Sequence, residues 1–598
     1  MTLPIIGNGS LSDLGRQSKR IWQERIDNFV LPRGKGCLNS PLIALIIAGL
    51  ALPAHAGGVD VLTQHYDNAR SGANNGEHVL NTSNVNVDTF GKLFTRAVDG
   101  CIYAEPLVAT GVKVEGHHRD IVYVATEHNS VYAFDAVAPA ASTPIWQVNL
   151  GPSIPTSDYD GGPYGVYRDI AKEVGITGTP VIDRSTGTLF VVAKTKEQDG
   201  YHLRLHALDM TNGHERSGSP VEVTVTMNAT GDGSKNGVLT LDAFKQLNRP
   251  GLLLLNGVVY ITLGSLSDFP PYHGWVIGYD ENSLKRLDYF NANPNGSDAG
   301  IWMSGNGPSV DSDGDIWVAT GNGTFDADSG GPDYGDSFIR IDPKQGLKAV
   351  DWMAPHDQEQ MNANDLDLGS CGPVYVSGAD IIVGGSKTSK LFVLDPKHAG
   401  HFLPDHDASL QSFLICDKHI HGAPVYYSGP SGLTLYVWPE ETTLKAFKID
   451  GRHVDEQPVQ QSRVRVPDGM PGGFLTISSD SGKPGTGIVW AMHSFSQDAL
   501  HDTVPGIVDA FDASDLTHEL WNSRQFADRD DVGQFAKHSS LTVANGRVYV
   551  PTFSNQLVVY GLLPKDKQGA PLQTPTPEQA DTQVDNGKPD PLAIPLEP

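Results

Sequence analysis

Residues 101–150 contain CIYAEPLVATG (101–111), DIVYVATEHN (120–129), SVYAFDA (130–136) and PIWQVNL (144–150). Each carries apolar residues alternating or clustered over four to six positions, and each is bounded by Gly, Asp, Asn or Pro. That pattern predicts four short antiparallel strands. One such sheet says little, but this one returns. Innermost strands of the same kind recur as AEPLVAT (104–110), GTPVID (178–183), GLLLLN (251–256), GPSVDS (307–312), GPVYVS (372–377), GAPVYY (422–427), GGFLTI (472–477) and SSLTVA (539–544). A fixed supersecondary unit repeated along a chain is the signature of a repeat architecture.

The third strand of each copy ends in a hydrophobic-Asp pair, at Asp135, Asp209, Asp280, Asp342, Asp395, Asp450 and Asp512, in every copy but the last. An Asp there can accept hydrogen bonds from backbone N–H groups two residues on and fix the turn into the fourth strand. The eighth copy, ending LVVYGL (557–562), has no fourth strand, while FGKLFTRAV (90–98) near the other end is a strand without partners. Pairing the two closes a ring and removes an open sheet edge. The expected fold is therefore all-β, an eight-bladed β-propeller of four-stranded antiparallel blades, spanning 90–563. Two stacked β-sandwiches would not explain eight units with one strand order.

Composition agrees with this. The 598-residue chain holds 65 Gly and 40 Pro with 19% charged residues, a turn-rich all-β balance. A formal charge of −27 excludes nucleic acid as the expected partner, since no basic field exists to displace counterions. Residues 1–56 read as a signal peptide with a long basic n-region, an apolar run Pro41–Pro53 and Ala54-His55-Ala56 as the cleavage site. A periplasmic or secreted protein with no transmembrane segment after cleavage is expected. Residues 57–89 read as a polar lead-in, and 564–598 as a disordered, Pro-rich tail. Three cysteines would remain after cleavage, so at least one is unpaired. Cys371 and Cys416 are the favoured pair because they lie in adjacent copies, which leaves Cys101 free.

In an antiparallel blade, strand 1 begins at the rim where strands 2 and 4 finish. Long insertions concentrate on that one face: 151–175, 228–249, 263–274, 321–335, 354–370 and 494–506. Loops elaborated on one side of a rigid scaffold form a binding face. Chemically loaded residues lie at the same junctions. Glu105, Arg249, Asn306, His421 and His538 stand near strand-1 starts, Glu127, His128, Lys194, Asn322, Lys387, Glu440 and His493 at strand-2 ends, with Asp367, His419 and Lys537 close by in sequence. Gathered around one axis, such groups can bind an anionic or polyhydroxylated ligand or exchange protons. For calcium, Asp326, Asp328 and Asp333 on the loop-rich face are preferred to the Asp311–Asp315 run in a short turn. KHIHG (418–422) sets two histidines two apart, on one face of a strand, with no third ligand evident in the sequence.

The recurring G-x-P-V, L-Y-V-A-T, V-Y-A-F-D-A and P-I-W-Q-V-N-L pattern, with GITGTPVID, RPGLLLLNGVVYI and PTFSNQLVVYGL, resembles the repeat of pyrroloquinoline quinone (PQQ) type eight-bladed propellers across 61–563. The resemblance implies the quinoprotein fold. It also implies PQQ in the axial funnel, activated by Ca²⁺ held by Glu and Asn, with an Asp as base and a disulfide between adjacent cysteines; no two cysteines are adjacent here. Under that reading Lys387 or Arg249 engages cofactor carboxylates, Asp367 or His421 accepts a proton, and the chain is a dehydrogenase of an alcohol or sugar. The alternative is a non-catalytic propeller that binds a glycan, peptide or cell-envelope protein at the same face.

Overall fold

A computed structural model describes residues 58–162 and 165–568. The leader expected over 1–56 and most of the tail expected over 564–598 lie outside the described residues. Eight small antiparallel sheets follow one another in chain order. The first consists of strands Leu107–Val114, His117–Ala125, Ser130–Asp135 and Trp146–Asn149. The eighth consists of Thr542–Ala544, Arg547–Val550 and Gln556–Leu562, completed on its outer side by Phe90–Ala97. This clasp pairs Phe90 with Leu562 and Ala97 with Gln556, its register shifting once between Lys92 and Phe94. Phe90 is fully buried, with its ring centroid 5.4 Å from Trp490, 5.0 Å from Trp521 and 6.4 Å from Tyr560. The ring is thus sealed by apolar packing as well as by backbone hydrogen bonds.

The recurrent aspartates do what the sequence requires of them. Asp135, Asp209, Asp280, Asp342, Asp395 and Asp512 each accept a hydrogen bond from the backbone N–H two residues on. Asp450 is the exception, because its strand continues into an extra hairpin with His453–Val454. The Asp311–Asp315 turn is also structural. Asp311 accepts from the Trp317 indole at 2.8 Å, and Arg340 stands 2.6 Å from Asp315.

The lead-in behaves in a way its composition does not announce. After Val61 pairs with Val108, the chain passes the inner strand of every blade in turn. Leu62 C=O accepts from Ile182 N (2.8 Å), Asn68 Nδ2 donates to Leu254 C=O (2.9 Å), and Asn68 C=O accepts from Val310 N (2.7 Å). Ala69, Ser71 and Gly72 carbonyls accept from Tyr375, Tyr426 and Ile477. Ala73–Asn74 then pairs in parallel with the seventh inner strand, and Asn74 Nδ2 donates to Val543 C=O of the eighth at 2.9 Å. Inner strands carry unpaired backbone groups toward the axis, and residues 61–74 satisfy one or more on each. The propeller is plugged by its own chain.

Arg70 anchors the plug. It is fully buried and donates to Pro308 C=O (2.9 Å), Thr63 Oγ1 (2.8 Å), Gln64 C=O (2.7 Å) and Leu252 C=O (3.2 Å). Burial lowers its pKa to about 10, with Asp67 and Glu105 acting in the opposite sense. Glycine is required where the plug approaches the blades. A Cβ on Gly307 would stand 2.5 Å from Arg70 Nη2. Gly72 has φ +67°, and its Cβ would stand 2.3 Å from Val425 Cγ1.

All three cysteines of the propeller are free. The expected Cys371–Cys416 pair is therefore corrected. Cys371 turns its thiol toward the Gly372 and Gly422 carbonyls, while Cys416 Sγ donates to Lys418 C=O at 2.9 Å.

Candidate functional site

The plug ends the axial funnel a short way below its mouth. Over the plug lies a cavity of about 10 Å³ open to the centre of a water molecule, barely one water. Its floor is Gln64 and His65, and its walls include Glu105, Asn306, Phe474 and His538. His65 Nε2 stands 2.9 Å from Ser540 Oγ, and burial, then Arg70, push its pKa down to about 3. Glu105 accepts from His65 N at 3.2 Å, and burial pushes its carboxyl up to about 8. Asn306 is 3% exposed, yet neither its amide nitrogen nor its oxygen has a partner.

Above the cavity, residues from separate blades converge. Lys387 leaves the end of strand Ile381–Gly385 and lies 2.6 Å from Asp367 and 3.1 Å from Asp365. Burial works against its charge, but the two carboxylates overcome this and hold the ammonium above its usual range. Asp367 also accepts from Asn322 N (2.9 Å), and Asn322 Nδ2 donates to Asp365 (2.8 Å). Asp268 faces the same group; burial, then Asp367, push its carboxyl up to about 6. Asp336 is fully buried and accepts from Leu368 N at 3.0 Å.

A basic sector continues the ring. Lys537 Nζ donates to Ala499 C=O (2.8 Å) and Leu500 C=O (2.5 Å); burial is the main cause that lowers its pKa to about 8. His538 adopts φ +61°, and its Nδ1 is buried without a partner. Burial, Arg249 and Lys537 hold its imidazole well below the usual range, so it is neutral. Arg249 is half-buried and makes no hydrogen bond or ion pair among the described residues. His421 completes this side, its ring centroid 6.5 Å from that of His538, with Nε2 2.9 Å from Glu440.

Other candidates stand away from the axis. Glu127 accepts from Cys101 N at 3.2 Å, and burial pushes it up to about 8, while neighbouring His128 pairs with Glu173 at 2.8 Å on the exposed rim. Lys194 Nζ donates to the Phe244 and Gln246 carbonyls, and burial lowers it to about 7. His493 is fixed by Asp509 at 2.8 Å and by the Ser494 carbonyl. Asp326 accepts from Asp333 N (2.8 Å), and Asp333 accepts from Asn295 N (3.0 Å). These bonds fold the loop on itself, and Asp328 is exposed on its short 3₁₀ turn. The sequence reading did not single out Asp268, Asp336, Asp365, His65 or Arg70. Asp268 and Asp365 lie inside insertions and Asp336 immediately after one, where no blade periodicity places them.

No family model and no curated protein matches the sequence. Solved structures do match. A quinohaemoprotein alcohol dehydrogenase from Pseudomonas putida superposes with a TM-score of 0.54 at 13% identity, covering 89% of this chain and 83% of the other. The quinohaemoprotein alcohol dehydrogenase of Comamonas testosteroni gives 0.52 at 15% identity, covering 84% and 80%. The chain has the quinoprotein-type propeller fold. At such identities the likeness speaks for fold alone.

A PQQ-sized molecule does not fit the cavity over His65. Pockets for ligands of that size run to about 300 Å³ or more, whereas the space above His65 admits one water and its floor is hydrogen-bonded chain. The chemistry of the site is therefore confined to the mouth.

Proposed function

We propose that the mouth binds a small carboxylated, hydroxylated molecule of the sugar-acid or glycan class. One observation carries this reading: Arg249, half-buried and without a counter-ion among the described residues, sits beside Lys537 and neutral His538. A guanidinium held without a carboxylate partner is ready to take one from a ligand in a forked pair. The Asp365–Lys387–Asp367 group and Asn322, across the same mouth, supply donors and acceptors for hydroxyls. The leader read in residues 1–56 supports a periplasmic or secreted setting.

Calorimetric titration with hexuronates and the matching neutral hexoses tests the reading. Binding of the acids, weakened at least tenfold by Arg249→Met and absent for neutral sugars, is expected. Equal binding of both sugar classes, or an unchanged Arg249→Met variant, overturns it.

A second reading, an oxidoreductase of alcohols or sugars, is favoured by the fold shared with the two alcohol dehydrogenases. In it Asp367 or His421 accepts the hydroxyl proton, and a redox acceptor of the quinone class, supplied from outside the cavity over His65, takes the hydride. Dye reduction with an alcohol and sugar panel distinguishes it from binding alone.

A further inference from the structure

His419 and His421 precede the inner strand Val425–Gly429 of the sixth blade, and Glu440 follows the next strand, Gly432–Val437. The two loops that carry them bring the three together. One donor atom from each lies within 4.8 Å of the other two. His421 Nε2 stands 2.9 Å and His419 Nδ1 3.7 Å from the Glu440 carboxylate, with the two imidazole centroids 5.9 Å apart. Tetrahedral zinc with metal–nitrogen bonds near 2.1 Å needs donors about 3.3 Å apart, within this spread.

The backbone holds the arrangement. Glu440 N donates to His419 C=O at 3.0 Å, tying the two loops together directly. Between the histidines, Ile420 is fully buried; its N–H donates to Ser386 C=O at 3.2 Å and its C=O accepts from Ser370 Oγ at 2.9 Å. With Ile420 pinned inward, residues 419 and 421 share the opposite side.

The donor atoms themselves are idle. His421 is 3% and Glu440 5% exposed, yet His421 Nε2, Glu440 Oε1 and His419 Nδ1 all lack a hydrogen-bond partner. The 2.9 Å contact between His421 and Glu440 is close but misaligned for a hydrogen bond. Buried polar atoms left this way cost about 1–3 kcal/mol each unless something satisfies them. Two other His–carboxylate groups, Glu197/Asp199/His202 and His356/Asp357/Asp407, are instead paired with cations. Arg204 neutralises the first, through Glu197, and Lys390 the second, through Asp357 and Asp407. The nearest lysine to the His419 group in sequence, Lys418, is taken by Glu441 at 2.9 Å.

From this geometry we propose that His419, His421 and Glu440 form a binding site for one divalent transition-metal ion, of the zinc or ferrous class. Two imidazoles and one carboxylate suit such borderline ions, whereas calcium takes six to eight oxygens. Three protein donors leave a coordination position open. His421 is the member closest to the axial cavity, through His538, so that position belongs to the mouth. The site stands independently of the sugar-acid reading, because it is measured with the metal alone.

The full-length protein, stripped with a chelator, is titrated with Zn²⁺ against a chromogenic competitor, and with Co²⁺ followed by its visible absorption. One equivalent of Zn²⁺, a Co²⁺ spectrum, and no displacement by millimolar Ca²⁺ are expected. Glu440→Gln and His419→Gln should each weaken Zn²⁺ binding by at least about 100-fold. His419 is 38% exposed in its side chain, so its variant keeps the fold, checked by circular dichroism. No saturable binding, or equal binding by wild type and both variants, overturns the proposal, and hexuronate binding in metal-free protein shows that the first reading survives that failure.

Discussion

Arg70→Met tests whether the plug is part of the folded core. The substitution keeps the unbranched stem and removes all four donated hydrogen bonds, to Pro308, Gln64 and Leu252 carbonyls and the Thr63 hydroxyl. Each buried acceptor left unsatisfied costs about 1–3 kcal/mol, a gross loss on the order of 4–12 kcal/mol. Against this, removing a fully buried guanidinium relieves its desolvation, which the pKa lowered to about 10 already signals. The net expectation is a loss of about 3 kcal/mol, a large share of the ~5–15 kcal/mol that holds a typical domain. Guanidinium chloride unfolding followed by tryptophan fluorescence reads it, since Trp317, Trp438 and Trp490 are buried within blades. The midpoint should fall with the m-value unchanged, and amides that donate to the plug, such as Tyr375 N and Ile477 N, should exchange faster with deuterium. A midpoint within about 0.5 kcal/mol of wild type, with those amides still protected, would refute the anchoring role.

Four further outcomes follow from the same structure. Glu105 is raised to about 8, mainly by burial, so the native state holds a proton the unfolded chain has lost; stability should fall as pH rises from about 4.5 to 8, and Glu105→Gln should flatten that decline by a few kcal/mol in pH-dependent denaturation. Lys194 acts in a different window: burial lowers it to about 7, so its cost to folding is present below that pH and is relieved between about 7 and 10.5. Phe90→Ala, at the clasp, should cost about 3–5 kcal/mol in thermal unfolding, whereas Leu287→Ala, at a side chain 57% exposed, should change it by less than about 0.5. Of the three propeller cysteines, at most Cys416 should react with a thiol reagent in the native state, because Cys101 and Cys371 are buried and burial pushes the Cys371 thiol up to about 12, and reductant should leave the melting temperature unchanged.

The ring itself was legible in the sequence because its causes are local and repeated. A strand-ending Asp, as at Asp135 or Asp512, serves its own turn, and the missing fourth strand of the last copy has one complement in 90–98. The plug was not legible for the opposite reason. Residues 61–74 touch each blade through one or two residues, mostly by backbone groups, and His65, Tyr66 and Arg70 take positive φ, so no period survives to be read. The mouth was half legible. The rule that strands 1 and 2 meet at one rim put Lys387, Asp367, Arg249, His421 and His538 on one face. It could not say that Glu127 would be spent on Cys101 N, or Lys194 on the Phe244 and Gln246 carbonyls of insertion 228–249. Glu440 was named as a rim residue, but its meeting with His419 depends on a single interloop hydrogen bond with no sequence signature. The cysteines erred similarly. Adjacent blades brought Cys371 and Cys416 near in order, while each thiol satisfied a different carbonyl.

The most direct test of a propeller that keeps the quinoprotein fold but confines its chemistry to the mouth is a titration of metal-free and Ca²⁺-loaded protein with PQQ, followed by absorbance and dye reduction. A plugged axis with room for one water predicts no saturable binding at micromolar PQQ and no dye reduction. Stoichiometric binding at that concentration would contradict it, and would require residues 61–74 to leave the axis.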